Sequence, residues 1–211
     1  MTSLSWECCE VNARDKAIVE DIQRFRVLSR DLIADLHFQD VKNKVTAANY
    51  VLKRLRRDKY ISCSDDRRQY IYFPAEGAIK RDSTKIPHFL MIADFYKQIA
   101  QIEKPRVFLV EPKYSKGMPE PDAFMIWKGM PWHIEIQRSN YSDRQMKEKL
   151  TRYDHYFLSN EWHNEEWQRP DKKIFPYLWI SGVGKYAIGT RSYRVFQTDV
   201  AGMAGMVTNK K

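Results

Sequence analysis

Two short apolar runs in the second half of the chain, 121–127 and 132–137, carry residues that can do chemistry. Asp122 opens the first run directly after a proline, and in the second run apolar residues alternate with polar ones, among them Glu135 and Gln137. Because successive side chains of a strand point to opposite faces, this alternation predicts one buried face and one polar row. Carboxylates are ligands that Mg²⁺ accepts. The pattern therefore predicts a site that holds a divalent metal ion against a phosphate.

The elements predicted around these runs form an α/β domain with a mixed sheet. Apolar residues at helical spacing predict helices at 89–102 and 143–158. Strand-like runs fall between and after them, with a short turn at 129–131. The predicted strands are 106–110, 123–127, 132–137, 175–180 and 193–197.

The first part of the chain predicts three helices followed by a hairpin. A helix covers 15–25, Ser29 is a good N-cap for a second helix, and Thr46 is the predicted N-cap of a third. Strands at 60–63 and 69–73 flank a charged tip at 64–68. The third helix buries Ala48, Val51, Leu52 and Leu55 on one face.

This order of elements, over about residues 15–74, resembles a winged helix-turn-helix domain. The resemblance implies that the third helix enters the major groove of double-stranded DNA and that the hairpin contacts the backbone. Residues expected to face bases or phosphates are Thr46, Asn49, Tyr50 and Lys53. Phosphate contacts are expected from Arg54, Arg56 and Arg57, and from Arg67 and Arg68 at the hairpin tip. Two alternatives stay open: a basic helix face that is only solvated, and a winged helix that binds protein.

The charge distribution also favours a polyanionic partner. The chain of 211 residues has a net charge of +9, and segment 42–68 has nine basic and three acidic residues, which leaves +6 there. No apolar stretch approaches the roughly 20 residues that span a bilayer, and the N-terminus lacks a signal-peptide pattern. Three cysteines without a CxxC pair favour reduced thiols. We therefore expect a cytoplasmic protein without a membrane partner.

The acidic runs, with a helix before and after the strands, resemble the PD-(D/E)XK nuclease-like fold. The resemblance implies that Asp122 and Glu135 are metal ligands, with Glu111 as a third acid, and that Mg²⁺ or Mn²⁺ is the cofactor if the site is active. Gln137 stands where that family usually has a lysine that positions the attacking water. Glutamine can hydrogen-bond a water but lacks the charge, so Lys113, Arg138 or Lys149 is the candidate replacement.

The whole arrangement, with a Lys149–Tyr153 pair on the following helix, resembles the replication-relaxation family of plasmids, phages and integrative elements. The resemblance implies a DNA-binding accessory protein for replication, DNA relaxation or mobilisation, with replication or relaxosome proteins as partners. The alternatives are a Mg²⁺-dependent endonuclease and a winged-helix transcriptional repressor, and homodimerisation is left open. The predicted fold class is α+β or α/β, divided into a winged helix at 12–75, a linker at 76–87, a nuclease-like domain at 88–200 and a flexible tail at 201–211.

Overall fold

The computed structural model describes residues 12–64, 70–77, 79–182 and 184–208. The chain divides into two compact units, Met1–Lys97 and Gln98–Lys211, here called the N-terminal and C-terminal units. The division falls inside helix α4, Ile86–Ile102. The linker predicted from the sequence, 76–87, covers the segment before this helix and the helix's first two residues. The predicted mixture of helices with a mixed sheet is confirmed.

The described part of the N-terminal unit has three helices and a small antiparallel sheet before α4. In chain order the elements are α1 (Ala13–Phe25), β1 (Leu28–Ser29), α2 (Arg30–His37), α3 (Lys44–Arg57), β2 (Ile61–Ser64) and β3 (Ile71–Pro74). The strands lie in the order β1-β3-β2, with Ser62 opposite Phe73, so the predicted hairpin is confirmed. The predicted tip residues Arg67 and Arg68 lie outside the described residues.

The start of α3 differs from the prediction. Asn43 is the N-cap: its Oδ1 accepts a hydrogen bond from the backbone N–H of Thr46 at 3.3 Å. Thr46 is therefore inside the first turn, because its own N–H is one of the donors that a cap must satisfy. Ser29 caps α2 as predicted, accepting from the N–H of Leu32 at 3.2 Å.

The C-terminal unit is built on a five-stranded mixed sheet. In chain order its elements are β4 (Val107–Val110), β5 (Ala123–Trp127), β6 (Met130–Ile136), α5 (Asp143–Ser159), β7 (Tyr177–Ser181), β8 (Val195–Gln197) and α6 (Val200–Thr208). The strands lie in the order β4-β5-β6-β7-β8; the first three are antiparallel, and β7 and β8 continue in parallel with β6. A single-turn 3₁₀ helix, Glu161–Asn164, follows α5.

Both faces of β6 are covered by other parts of the unit, and its row of polar side chains faces α5. On one face Trp132 contacts Trp179 and Phe196, with ring centroids 5.9 and 5.4 Å apart. On the other face the polar residues lie under α5, whose Met146, Leu150 and Tyr153 are buried. The tight turn from β5 to β6 places Lys128 and Gly129 at positive φ, as a two-residue type I′ turn requires.

The C-terminal segment 201–211 was predicted as a flexible tail, and the structure differs there. Residues up to Thr208 continue helix α6, with Val200 and Met203 buried, so packing orders a segment of small residues. Residues 209–211 lie outside the described part. None of the helices described is long and apolar enough to cross a membrane.

Candidate functional site

Pairing between β5 and β6 brings Asp122 beside Glu135. Ala123 lies opposite Ile134, so Asp122, one residue earlier, reaches the end of β6. Its Oδ2 accepts a hydrogen bond of 2.6 Å from the backbone N–H of Ile136. The structure therefore brings together the two predicted metal ligands at one end of the antiparallel pair.

Glu135 is buried, with 1% of its surface exposed, and both of its carboxylate oxygens have partners. Oε1 accepts a 2.6 Å hydrogen bond from the hydroxyl of Tyr153, and Oε2 accepts from the ammonium of Lys149. Both partners come from α5, four residues apart, and so lie on the same helix face. We call Asp122, Glu135, Gln137, Lys149 and Tyr153 the carboxylate site.

Helix α5 is held at its start by a capping box. The Ser142 hydroxyl accepts from the N–H of Gln145 at 3.3 Å, and the Gln145 side chain accepts from the N–H of Ser142 at 3.0 Å. This cap fixes where the helix begins, and with it which turn of α5 faces β6. Lys149 and Tyr153 follow on the next two turns.

Burial and neighbouring charges set the electrostatics of the carboxylate site. Burial, together with the nearby charge of Asp122 and against the opposing effect of Lys149, raises the pKa of Glu135 to about 7. Burial tends to lower the pKa of Lys149, but the charges of Glu135 and Asp122 outweigh it and hold that pKa above its usual value. The ammonium therefore stays charged at neutral pH.

Gln137 ends the polar row and is also buried, with 5% exposed. Its backbone N–H donates to the carbonyl of Ser181 at 2.9 Å. Among the described residues neither its amide nitrogen nor its amide oxygen has a hydrogen-bond partner. A buried amide without partners is costly, so this group is available to a ligand or a water.

Of the three cations considered as replacements for the family lysine, Lys149 contacts Glu135. Lys113 instead pairs with Glu120 at 3.1 Å, and Arg138 is exposed at the end of β6. The sequence identified Lys149 as a candidate cation but did not predict its contact with Glu135. That contact depends on how α5 packs on the sheet, which is a property of the tertiary structure. The sequence feature that pointed to this contact was the four-residue spacing of Lys149 and Tyr153, which places both on one face of a helix.

The third predicted acid, Glu111, lies at the end of β4 with a positive φ of 45°. Its backbone N–H donates to the carbonyl of Asp122 at 2.9 Å, so it is next to the site through the main chain. Within the described ranges, no three His, Cys, Asp or Glu side chains form a group able to hold a metal ion. With both oxygens of Glu135 bonded to α5, the side chains as placed fit an internal ammonium better than a divalent ion.

His133 lies on the same face of β6 as Glu135, but its contacts are those of a packed side chain. Its Nε2 lies 2.9 Å from the hydroxyl of Tyr114, and the rings of Tyr153 and Phe124 are 5.5 and 5.8 Å away. Burial lowers the pKa of His133 to about 3, so the ring is neutral. It therefore contributes to packing under α5 and adds no charge to the site.

The second candidate site is the outer face of α3. Ala48, Leu52 and Leu55 are buried, and the opposite face is exposed. Tyr50 has 75% of its surface exposed in the middle of this face. We call this surface the α3 face; its exposed residues are Thr46, Asn49, Tyr50, Lys53, Arg56 and Arg57.

Arg54, predicted to contact phosphate, has an intramolecular partner. Its guanidinium pairs with Asp15 in the first turn of α1, whose side chain is 3% exposed. Arg57 pairs with its neighbour Asp58 at 2.8 Å and keeps 73% exposure. Lys53 and Arg56 make no ion pair with any residue that the structure describes. These two cations are therefore the ones most available to a partner.

Comparison with known proteins gives no significant match to any family model, curated protein or solved structure. The resemblances drawn from the sequence motifs therefore stay predictions.

Proposed function

We propose that this chain binds double-stranded DNA through the α3 face and acts as an accessory protein in the replication, relaxation or mobilisation of mobile DNA. The observation that carries the proposal is the exposed α3 face itself, where Lys53, Arg56, Arg57 and Tyr50 are all exposed. Lys and Arg contacts to phosphates supply most of the sequence-independent affinity for DNA.

The elements around α3 support the same proposal. Two helices precede α3 and an antiparallel hairpin follows it, the order of a winged helix-turn-helix domain. In that arrangement the exposed face of the third helix enters the major groove. Asn49 and Thr46 then supply hydrogen-bonding groups near base edges, and Lys53 and Arg56 supply cations for the backbone.

The fold of the C-terminal unit supports the proposal that it is a nuclease-like domain with an accessory function that does not itself cut DNA. Asp122 directly precedes β5 and Glu135 lies in β6 of an antiparallel β4-β5-β6 meander, and α5 follows that meander. Glu135, however, is bonded by Lys149 and Tyr153. This bonding favours an accessory function over the endonuclease alternative.

Fluorescence anisotropy of the full chain with a labelled duplex tests DNA binding. We expect Lys53→Ala/Arg56→Ala to weaken affinity on the order of tenfold, because two phosphate contacts are lost. Lys172→Ala/Lys173→Ala is the matched control, since it removes the same charge from an exposed site in the other unit. Equal losses in both variants would mean that net charge alone, and not the α3 face, determines binding.

Incubation with supercoiled plasmid and Mg²⁺ or Mn²⁺ tests the second part of the proposal. We expect the plasmid to stay supercoiled. Nicking that disappears in Asp122→Ala and in EDTA would instead support the endonuclease.

A further inference from the structure

The carboxylate site contains two acids in a place that water hardly reaches. Glu135 is 1% exposed, and Asp122, half-buried, is close enough for its charge to raise the pKa of Glu135. A buried carboxylate is strongly destabilising unless an opposite charge and hydrogen bonds compensate it. A cation at the site therefore stabilises the ionised form of these acids.

Lys149 supplies that cation from within the chain. Its ammonium bonds Oε2 of Glu135 and interacts with the charge of Asp122. The ring of Tyr141 lies on its other flank, with the centroid 5.4 Å from Nζ, at the distance of a cation–π contact. The Lys149 side chain is 27% exposed, so the ammonium lies between the buried acids and the surface.

The same position is the one that a divalent ion would need. Mg²⁺ and Mn²⁺ bind carboxylate oxygens directly and at short range. The Oε2 oxygen of Glu135 already accepts from Lys149, and a doubly charged ion placed beside the ammonium would be repelled by it. Metal and ammonium therefore compete for Oε2 of Glu135.

We infer that Lys149 is the resident cation of the carboxylate site, and that a divalent ion binds there only when this lysine is removed. Without the ammonium, the site offers oxygens of Asp122 and Glu135. It also offers the amide oxygen of Gln137, which lies two residues from Glu135 on the same face of β6 and has no partner among the residues described. The inference concerns the C-terminal unit and does not depend on DNA binding by α3.

Binding of Mn²⁺ to the full chain, measured by electron paramagnetic resonance of the unbound ion, tests the inference. We expect no binding at millimolar Mn²⁺ in the wild type, at least about tenfold tighter binding in Lys149→Met, and loss of that gain in Lys149→Met/Glu135→Gln. Lys149→Arg is the control that keeps a cation and should stay metal-free. Wild-type binding as tight as that of Lys149→Met would overturn the inference.

Folding is followed in parallel by circular dichroism, because Lys149→Met leaves buried acids without their cation. Lys149→Gln keeps a hydrogen-bond donor and is the second neutral variant. If either variant unfolds alone, the inference predicts that Mn²⁺ restores its folded spectrum. A variant that is folded but binds no Mn²⁺, or that stays unfolded at millimolar Mn²⁺, would refute it.

Discussion

The pair between Arg54 and Asp15 predicts that one arginine of α3 stabilises the fold while its neighbour does not. Asp15 is buried in the first turn of α1, and Arg54 reaches it from α3. Arg54→Ala would leave this carboxylate without its cation. Arg56→Ala, an identical change on the exposed side of the same helix, removes no ion pair or side-chain hydrogen bond within the described part of the chain.

The size of the effect follows from the burial of the two partners. Breaking a buried ion pair costs about 3–5 kcal/mol. Arg54 is 45% exposed, so water can reach the vacated position, and the positive end of α1 stabilises Asp15 by up to about 1 kcal/mol. We therefore expect Arg54→Ala to lower the free energy of unfolding by about 2 kcal/mol, against at most about 0.5 kcal/mol for Arg56→Ala.

Urea denaturation followed by circular dichroism measures both variants. A double-mutant cycle with Asp15→Asn adds a second readout: the two changes should be less than additive by about 1 kcal/mol or more, because each removes the same pair. If Arg54→Ala is no less stable than Arg56→Ala, or if the cycle is additive, the pair does not stabilise the fold and Arg54 returns to the set of residues available for DNA.

The remaining predictions concern the C-terminal unit. Burial lowers the pKa of His133 from 6.5 to about 3, so protons bind the unfolded chain first and stability falls as the pH drops below 6.5. When the pH is lowered from 7 to 5, the free energy of unfolding should therefore fall by about 2 kcal/mol less in His133→Leu than in the wild type. Identical pH profiles for the two proteins would contradict this. Gly182→Ala should cost about 1–3 kcal/mol, because its new Cβ would lie 2.8 Å from Cβ of Gln137. In Gly205→Ala a Cβ meets nothing within 4 Å, and thermal unfolding should show a small gain instead.

Periodicity predicted most of the elements that carry the two sites. The run 123–127 has the bounds of β5, and the alternation after it correctly assigned Glu135 to a polar face. The buried face of α3 was also correct for Ala48, Leu52 and Leu55. These elements follow from local patterns of apolar residues, which are visible in a sequence.

The contacts that define the carboxylate site were not predictable in the same way. Whether Lys149 meets Glu135 depends on where α5 lies over the sheet, and no local pattern sets that position. Strand β1 has two residues and so shows no period at all. The capping residue of α3 was missed because Asn43 and Thr46 are both favourable caps and lie one turn apart.

The proposed binding of DNA by the α3 face is tested most directly by the salt dependence of affinity. Each phosphate contact contributes about −0.9 to the slope of log K against log of the salt concentration. We expect the slope for Lys53→Ala/Arg56→Ala to be shallower than that of the wild type by about 2, and the slope for Lys172→Ala/Lys173→Ala to be unchanged. Equal slopes for the wild type and Lys53→Ala/Arg56→Ala would contradict the claim.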